Sequence, residues 1–234
     1  MKTYGQFCPI ARASEILAER WTILILRNLL LGCETYSEIA AGAPGIPRAL
    51  LTARLRELQR TGVVDAQPLE GRRGHRYHLT DAGKDLQEVL MALGAWGERW
   101  LELTPSHVDP SIVLWSWSHY YLASDRLPAQ RVVVHFRFPD QARSLRDYWM
   151  IFDQERTEVC TFDPGFGVDL DAELDSRTLA EWHLGHLDWN RARRDGRIRL
   201  QGSKSLAQAL PRWKRPSDFA SVERARHRLG SPVD

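Results

Sequence analysis

The chain has 234 residues, 43% hydrophobic and 26% charged, with a formal net charge of +2 at pH 7. This is a globular composition, long enough for one or two domains, and it excludes a polycation, so any attraction to nucleic acid has to be local. No apolar run reaches the ~18 residues of a spanning helix, no signal-peptide core opens the chain, and its three cysteines lack a CxxC pair, which together predict a cytoplasmic protein with no membrane partner and no disulfide framework.

Pro9 suits the first turn of a helix, with Cys8 near the N-cap. Ile10, Ala13, Ile16 and Leu17 then recur at helical spacing. Residues 21–31 are apolar apart from Thr22, Arg27 and Asn28, which predicts a buried helix ended by Gly32. Thr35-Tyr36-Ser37-Glu38 has the pattern of a capping box and opens a short helix through Ile39 and Ala40. Gly42-Ala43-Pro44-Gly45 is a turn, and Pro47 starts a basic helix over 47–60 at its favoured first position. On that helix Leu51, Leu55 and Leu58 share one face. Arg48, Thr52, Arg56 and Gln59 share another, beside Ala49, Ala53 and Arg60. Gly62 ends the helix.

Val63 and Val64, then Tyr77 and Leu79, are strand-like, and Glu70-Gly71-Arg72-Arg73-Gly74 lies at the turn between them. From Gly45 to Thr80 seven arginines face three carboxylates. A rigid basic helix followed by a cationic hairpin is the pair of parts with which a winged helix grips DNA, the helix in the major groove and the loop on the neighbouring backbone. Arg48, Ala49, Thr52 and Arg56 are therefore expected near base edges or phosphates, and Arg60, Arg72, Arg73 and Arg76 on phosphate. Arg54 lies closer to the apolar face and is expected on an adjacent phosphate or bracing the hairpin.

Thr80-Asp81-Ala82-Gly83 opens a long helix through Leu86, Val89, Leu90, Leu93, Trp96, Trp100 and Leu101, apolar enough to predict packing on a second copy. Residues 104–110 read as a linker. Beyond it, residues 111–122 are predicted helical and strands are predicted at 131–138, 148–152, 158–162, 168–174 and 198–202. Helices are predicted at 176–184, 187–195 and 203–210. These elements predict an α+β domain with a mainly antiparallel sheet.

Several ordered blocks carry a family resemblance. They are Cys8-Pro9-Ile10-Ala11-Arg12-Ala13, Arg20-Trp21-Thr22-Ile23-Leu24-Ile25-Leu26-Arg27, Tyr36-Ser37-Glu38-Ile39, residues 51–58, Gly62-Val63-Val64 and Tyr77-His78-Leu79-Thr80-Asp81-Ala82-Gly83. Residues 8–103 resemble the HxlR-type winged-helix regulators, in the broad orbit of the MarR-like repressors. The resemblance implies a homodimeric transcription regulator on a double-stranded, pseudo-palindromic DNA operator, with 47–60 as recognition helix and 67–75 as wing. It also implies a redox-sensing role for Cys8, whose place at a helix N-terminus favours the thiolate. Residues 109–220 are similar to a domain of the sterol-carrier-protein kind, on Val168-Asp169-Leu170, His183-Leu184-Gly185-His186-Leu187 and residues 196–203. That fold implies an apolar ligand tunnel.

The expected organisation is a winged-helix domain over 1–104 and a sterol-carrier-like domain over 109–222. In the second, Trp115, Tyr120, Trp149, Phe162 and Trp182 are candidates to line a pocket for a small apolar or aromatic effector. His183 with His186, and His75 with His78, offer too few convergent ligands for a metal. No nucleophile–base motif, P-loop or GxGxxG is present, so neither an enzyme nor a cofactor is expected. The competing reading is a hydrophobic-ligand carrier that uses its winged domain for assembly.

Overall fold

A computed structural model of the protein describes residues 3–71, 73–225 and 229. It divides into two compact units, Met1–Gly94 and Ala95–Asp234. In the first, Pro9 opens α1 (Pro9–Leu17) from an N-cap at Cys8, and α2 (Thr22–Leu30) runs to Gly32, whose φ of +91° makes the turn. The capping box forms as expected. Thr35 accepts from Glu38 N, and the Glu38 carboxylate accepts from Thr35 N at 2.9 Å, opening α3 (Tyr36–Ala41). Pro47 serves as N-cap rather than first residue of α4 (Arg48–Arg60).

The core of this unit is Ile25, Leu26, Ile39, Leu51, Leu55 and Leu58, all at 1% exposure or less. Two of the three polar interruptions of α2 hold α3 against it. Asn28, fully buried, donates from Nδ2 to the Ile39 carbonyl at 2.9 Å, and Arg27 Nη2 donates to the Gly42 carbonyl. Each satisfies a backbone acceptor at the end of a short helix.

The hairpin pairs β1 (Val64–Pro68) with β2 (His75–Leu79) from Val64↔Leu79 to Pro68↔His75. Leu69 N to the Gly74 carbonyl, 3.1 Å, closes its tip. On the other edge of β2, Tyr77 N donates to the Glu34 carbonyl at 2.7 Å and Thr35 bridges Arg76. The segment entering α3 thus acts as a third short strand. Thr80 then starts α5 (Asp81–Trp100), accepting from Gly83 N at 3.2 Å.

The second unit begins inside α5, not at 104–110. The expected linker is ordered there because its apolar residues are used. Val108 is 7% exposed in the C-terminal core and Leu103 packs on it. Asp109 caps α6 (Pro110–His119) by accepting from Ser111 N at 2.9 Å.

Five strands follow: β3 (Val132–Arg137), β4 (Asp147–Phe152), β5 (Glu158–Cys160), β6 (Leu170–Leu174) and β7 (Ile198–Gly202). Between β6 and β7 lie α7 (Ser176–His183) and α8 (Trp189–Arg194), and α9 (Lys204–Ala209) comes last. The sheet order is β5-β4-β3-β6-β7. The outer pairings are antiparallel, but β3 and β6 at the centre run parallel.

Val134, Phe136, Met150, Phe152, Leu170, Ala172 and Leu174 point to one face, where residues of α6 to α9 cover them. At the middle stands Trp117, fully buried, with the rings of Phe136, Phe152 and Trp182 within 5.9 Å and its indole N–H on the Trp213 carbonyl. Among the described residues no helix is long and apolar enough to cross a membrane.

One contact in the first unit admits no side chain. A Cβ on Gly83 would stand 2.3 Å from the Val63 carbonyl oxygen and 2.9 Å from Leu79 Cδ2. Gly83→Ala is therefore expected to destabilise this unit by about 1–3 kcal/mol, read as a lower urea midpoint. An unchanged midpoint would mean that α5 can shift away from the hairpin base.

Candidate nucleic-acid interface and the C-terminal cleft

With Leu51, Leu55 and Leu58 buried, the rotation of α4 is set and its opposite side faces solvent. Arg48, Ala49, Ala53 and Arg56 are exposed there, and Thr52 is half-buried. Arg48, Thr52 and Arg56 recur every four residues and so stack along one stripe. The first turn is held by Tyr36, whose hydroxyl donates to the Arg48 carbonyl at 3.0 Å. Thr52 Oγ1 donates to the same carbonyl, which commits its proton to the helix and leaves its lone pairs outward.

The other arginines differ in how far their charge is shared. Arg60 lies 2.7 Å from Glu57, and its hydrogen bond holds that carboxyl below the usual carboxylate range. Arg76 lies 3.2 Å from Glu34, which also stands 3.7 Å from His78. Arg73 is exposed at the hairpin tip. Arg72 lies outside the described residues. Arg48, Arg56 and Arg73 are the cations of this surface that have no ion pair among the described residues.

Arg54 is a correction. Expected on phosphate or on the hairpin, it instead pairs with Glu19 through Nη2 and donates from Nε to the Arg20 carbonyl at 3.3 Å. It thereby clamps the turn between α1 and α2, where Trp21 holds a left-handed φ of +78° that a bulky residue adopts only under constraint. The partner lies 35 residues away in sequence, so helix periodicity could not reveal it. Glu34, Asn28 and Gly83 also escaped the sequence reading. Of these, Asn28 carried a signal, as a lone amide in an apolar helix.

Residues 16–105 match the family described as HxlR-like helix-turn-helix. Over 107 residues the chain is 37% identical to the uncharacterized HTH-type transcriptional regulator YvaP of Bacillus subtilis, covering 45% of this chain and 97% of YvaP. The chain belongs to the HxlR-like helix-turn-helix family. It is also 40% identical over 93 residues to an uncharacterized HTH-type transcriptional regulator of Mycobacterium tuberculosis, covering 39% of this chain and 58% of that protein. The chain thus spans little more than half the length of that relative. Among solved structures, quinone-bound YodB from B. subtilis is 34% identical, with 39% of this chain and 97% of YodB covered and a TM-score of 0.35. The HxlR-like segment takes in α2 to α5 and the hairpin, and ends at residue 105. Cys8, the candidate sensing thiol, precedes it as a half-buried N-cap.

The five aromatics expected to line one pocket are not brought together. Trp149 pairs with His135 across β3 and β4 and stacks on it at 4.7 Å. Strand alternation places both on the sheet face opposite Met150 and Phe152. Phe162 lies past the end of β5 and is 70% exposed. Trp115 and Tyr120 stack edge to face at 5.3 Å near the end of α6. Trp182 alone of the five lines an open cleft, of about 640 Å³, with His183, Trp189, Arg212, Lys214 and Arg215. The cause is that alternation and helix pitch send neighbouring aromatics to different faces.

Within the cleft wall, burial and the charge of Lys214 push His183 down to about 3. Burial lowers the Lys214 ammonium to about 8.

Two outcomes follow. Arg54→Ala should cost about 1 kcal/mol, the upper range for a partly exposed ion pair, while Arg56→Ala should stay within about 0.5 kcal/mol. Equal urea midpoints for the two variants would deny Arg54 its clamping role. His183, neutral when folded, takes up its proton near 6.5 once unfolded. Between those values the unfolded chain binds more protons, so stability falls as pH falls from 6.5 toward 3, by up to about 1.4 kcal/mol per unit. His183→Phe should flatten the melting temperature against pH over this window, and parallel curves would exclude the effect.

Proposed function

We propose that this protein is a sequence-specific DNA-binding transcription regulator that acts as a homodimer. In this reading α4 enters the major groove with Arg48, Ala49, Thr52 and Arg56 toward the bases, while Arg60, Arg73 and Arg76 reach phosphate. The observation that carries it is the unpaired stripe of Arg48 and Arg56 on a helix whose rotation three buried leucines lock, beside a hairpin with an exposed Arg73. Small side chains at Ala49 and Ala53 allow close approach to base edges. Arg54 is withdrawn from this set.

A second copy is supported by the outer stripe of α5. In the first unit Val89 and Leu93 lie one turn apart on one face of α5 and are each 48% exposed. Apolar surface of that kind ordinarily marks an interaction face. Two copies would read a pseudo-palindrome with half-sites about one helical turn apart or a small multiple. The C-terminal unit is read as sterol-carrier-like and effector-binding, on the strength of a five-stranded sheet with helices packed over one face. Cys8 is kept as the candidate thiol sensor, a role that an unaltered diamide response in Cys8→Ser would remove.

Fluorescence anisotropy on DNA from upstream of the coding region tests the central reading. Arg73→Ala should weaken binding to all sequences and flatten the log K against log salt slope by about 0.9 per lost phosphate contact, while Arg48→Ala and Arg56→Ala should each cost about 1–3 kcal/mol on the preferred sequence and relax its specificity. Val89→Glu with Leu93→Glu should give a monomer by sedimentation. A monomeric wild-type protein, or equal affinity for every duplex at low salt, would overturn the proposal.

A further inference from the structure

The C-terminal unit holds a buried cation that no carboxylate among the described residues neutralises. Lys214 is 7% exposed. Its Nζ donates to the Arg215 carbonyl at 3.0 Å and the His183 carbonyl at 3.4 Å. It also lies 5.0 Å from the Trp182 ring centroid and 5.4 Å from that of Tyr121. These partners offer dipoles and π-faces but no full negative charge. Arg212 and Arg215 are exposed on the same cleft. Neither they nor Lys214 has an ion pair among the described residues. The carboxylate on the wall, Asp188, is engaged as the N-cap of α8, accepting from Arg191 N at 2.7 Å.

Buried charges are ordinarily paired, because desolvation without a counter-ion is costly. A cation left unpaired on the wall of a cleft marks a place for an anion. Trp189 Nε1 and His183 Nδ1, on residues of the same wall, are enclosed with no hydrogen-bond partner among the described residues. The apolar part of the wall is aromatic and ring-rich. Trp182 and Trp189 have ring centroids 4.5 Å apart and are tilted 52° to each other, and Leu187, Pro211 and Pro216 complete it. The volume, about 640 Å³, falls within the usual span of small-molecule sites, roughly 300–1,000 Å³.

We propose that this cleft binds a small carboxylate with a flat aromatic body, its carboxylate paired to Lys214 and its ring against the indoles of Trp182 and Trp189. This deepens the reading of the C-terminal unit as an effector module and names the effector's class. It adds a carboxylate to the small apolar or aromatic effector that the sequence suggests.

The test is calorimetric titration of the full chain, without DNA, by 2-naphthoate, neutral 2-naphthamide and decanoate. Naphthoate should bind at least tenfold more tightly than the amide. Lys214→Met, which keeps the stem's volume, should weaken naphthoate at least tenfold and leave the amide unchanged, with the circular dichroism spectrum retained. Arg212→Ala combined with Arg215→Ala, both on exposed side chains, should weaken naphthoate several-fold. That pair decides the matter if Lys214→Met does not fold.

Absence of naphthoate binding at millimolar concentration, equal affinity for acid and amide, or full affinity in the folded Lys214→Met variant or the arginine pair would each overturn the assignment. Tighter binding of decanoate than of naphthoate would overturn its aromatic half. Because no DNA is present, failure of operator binding leaves these titrations readable.

Discussion

A helix has one rotational degree of freedom about its axis, and in α4 three leucines remove it. Leu51, Leu55 and Leu58 are at 1% exposure or less, and each buried leucine contributes about 1.5–3 kcal/mol relative to exposure. A turn of α4 that brought Arg48 or Arg56 inward would expose these side chains and bury a charge. The outward stripe is therefore a consequence of the inward one. Everything proposed for the first unit rests on that coupling, because the same cations on a freely rotating helix would define no surface.

The rest of that unit keeps α4 in place through polar contacts with buried or backbone partners. Asn28 and Arg27 fix α3, Tyr36 fixes the start of α4, and Arg54 ties its middle to the strained turn at Trp21. Gly83 lets α5 approach the hairpin base closely enough for Thr80 to bond Gly62 and Val63. The C-terminal unit is organised differently. Its sheet and helices close around Trp117, and the chain then lays Lys214 beside Trp182 without a counter-ion among the described residues. Among the described residues the first unit satisfies its buried polar groups internally, while the second leaves a charge without an ion pair and an enclosed indole N–H without an acceptor.

Much of the first unit was legible because its signals are local. The capping box at Thr35 and Glu38, the glycine turn after α2, the leucine stripe and the hairpin all depend on residues within a few positions of one another. The second unit was legible as a string of elements but not as an arrangement. The parallel pairing of β3 with β6 joins segments more than thirty residues apart, and no local pattern encodes it. Residues 104–110 resemble a linker by composition, yet Val108 belongs to the core. Aromatic content suggested one pocket, but Trp149 and Phe162 lie elsewhere because a strand alternates its faces and β5 ends at Cys160.

By itself the sequence determined which helix carries the cations, where the turns fall and that the chain continues past the HxlR-like segment into an α+β unit. Those features follow from periodicity, capping and glycine, which act over one or two turns. Only the tertiary structure decided which cations stay unpaired. Arg54 meets Glu19, Arg76 meets Glu34, and among the described residues Lys214 meets carbonyls and rings but no carboxylate. A charge's availability depends on what folding brings within a few ångströms of it, and those neighbours come from distant parts of the chain.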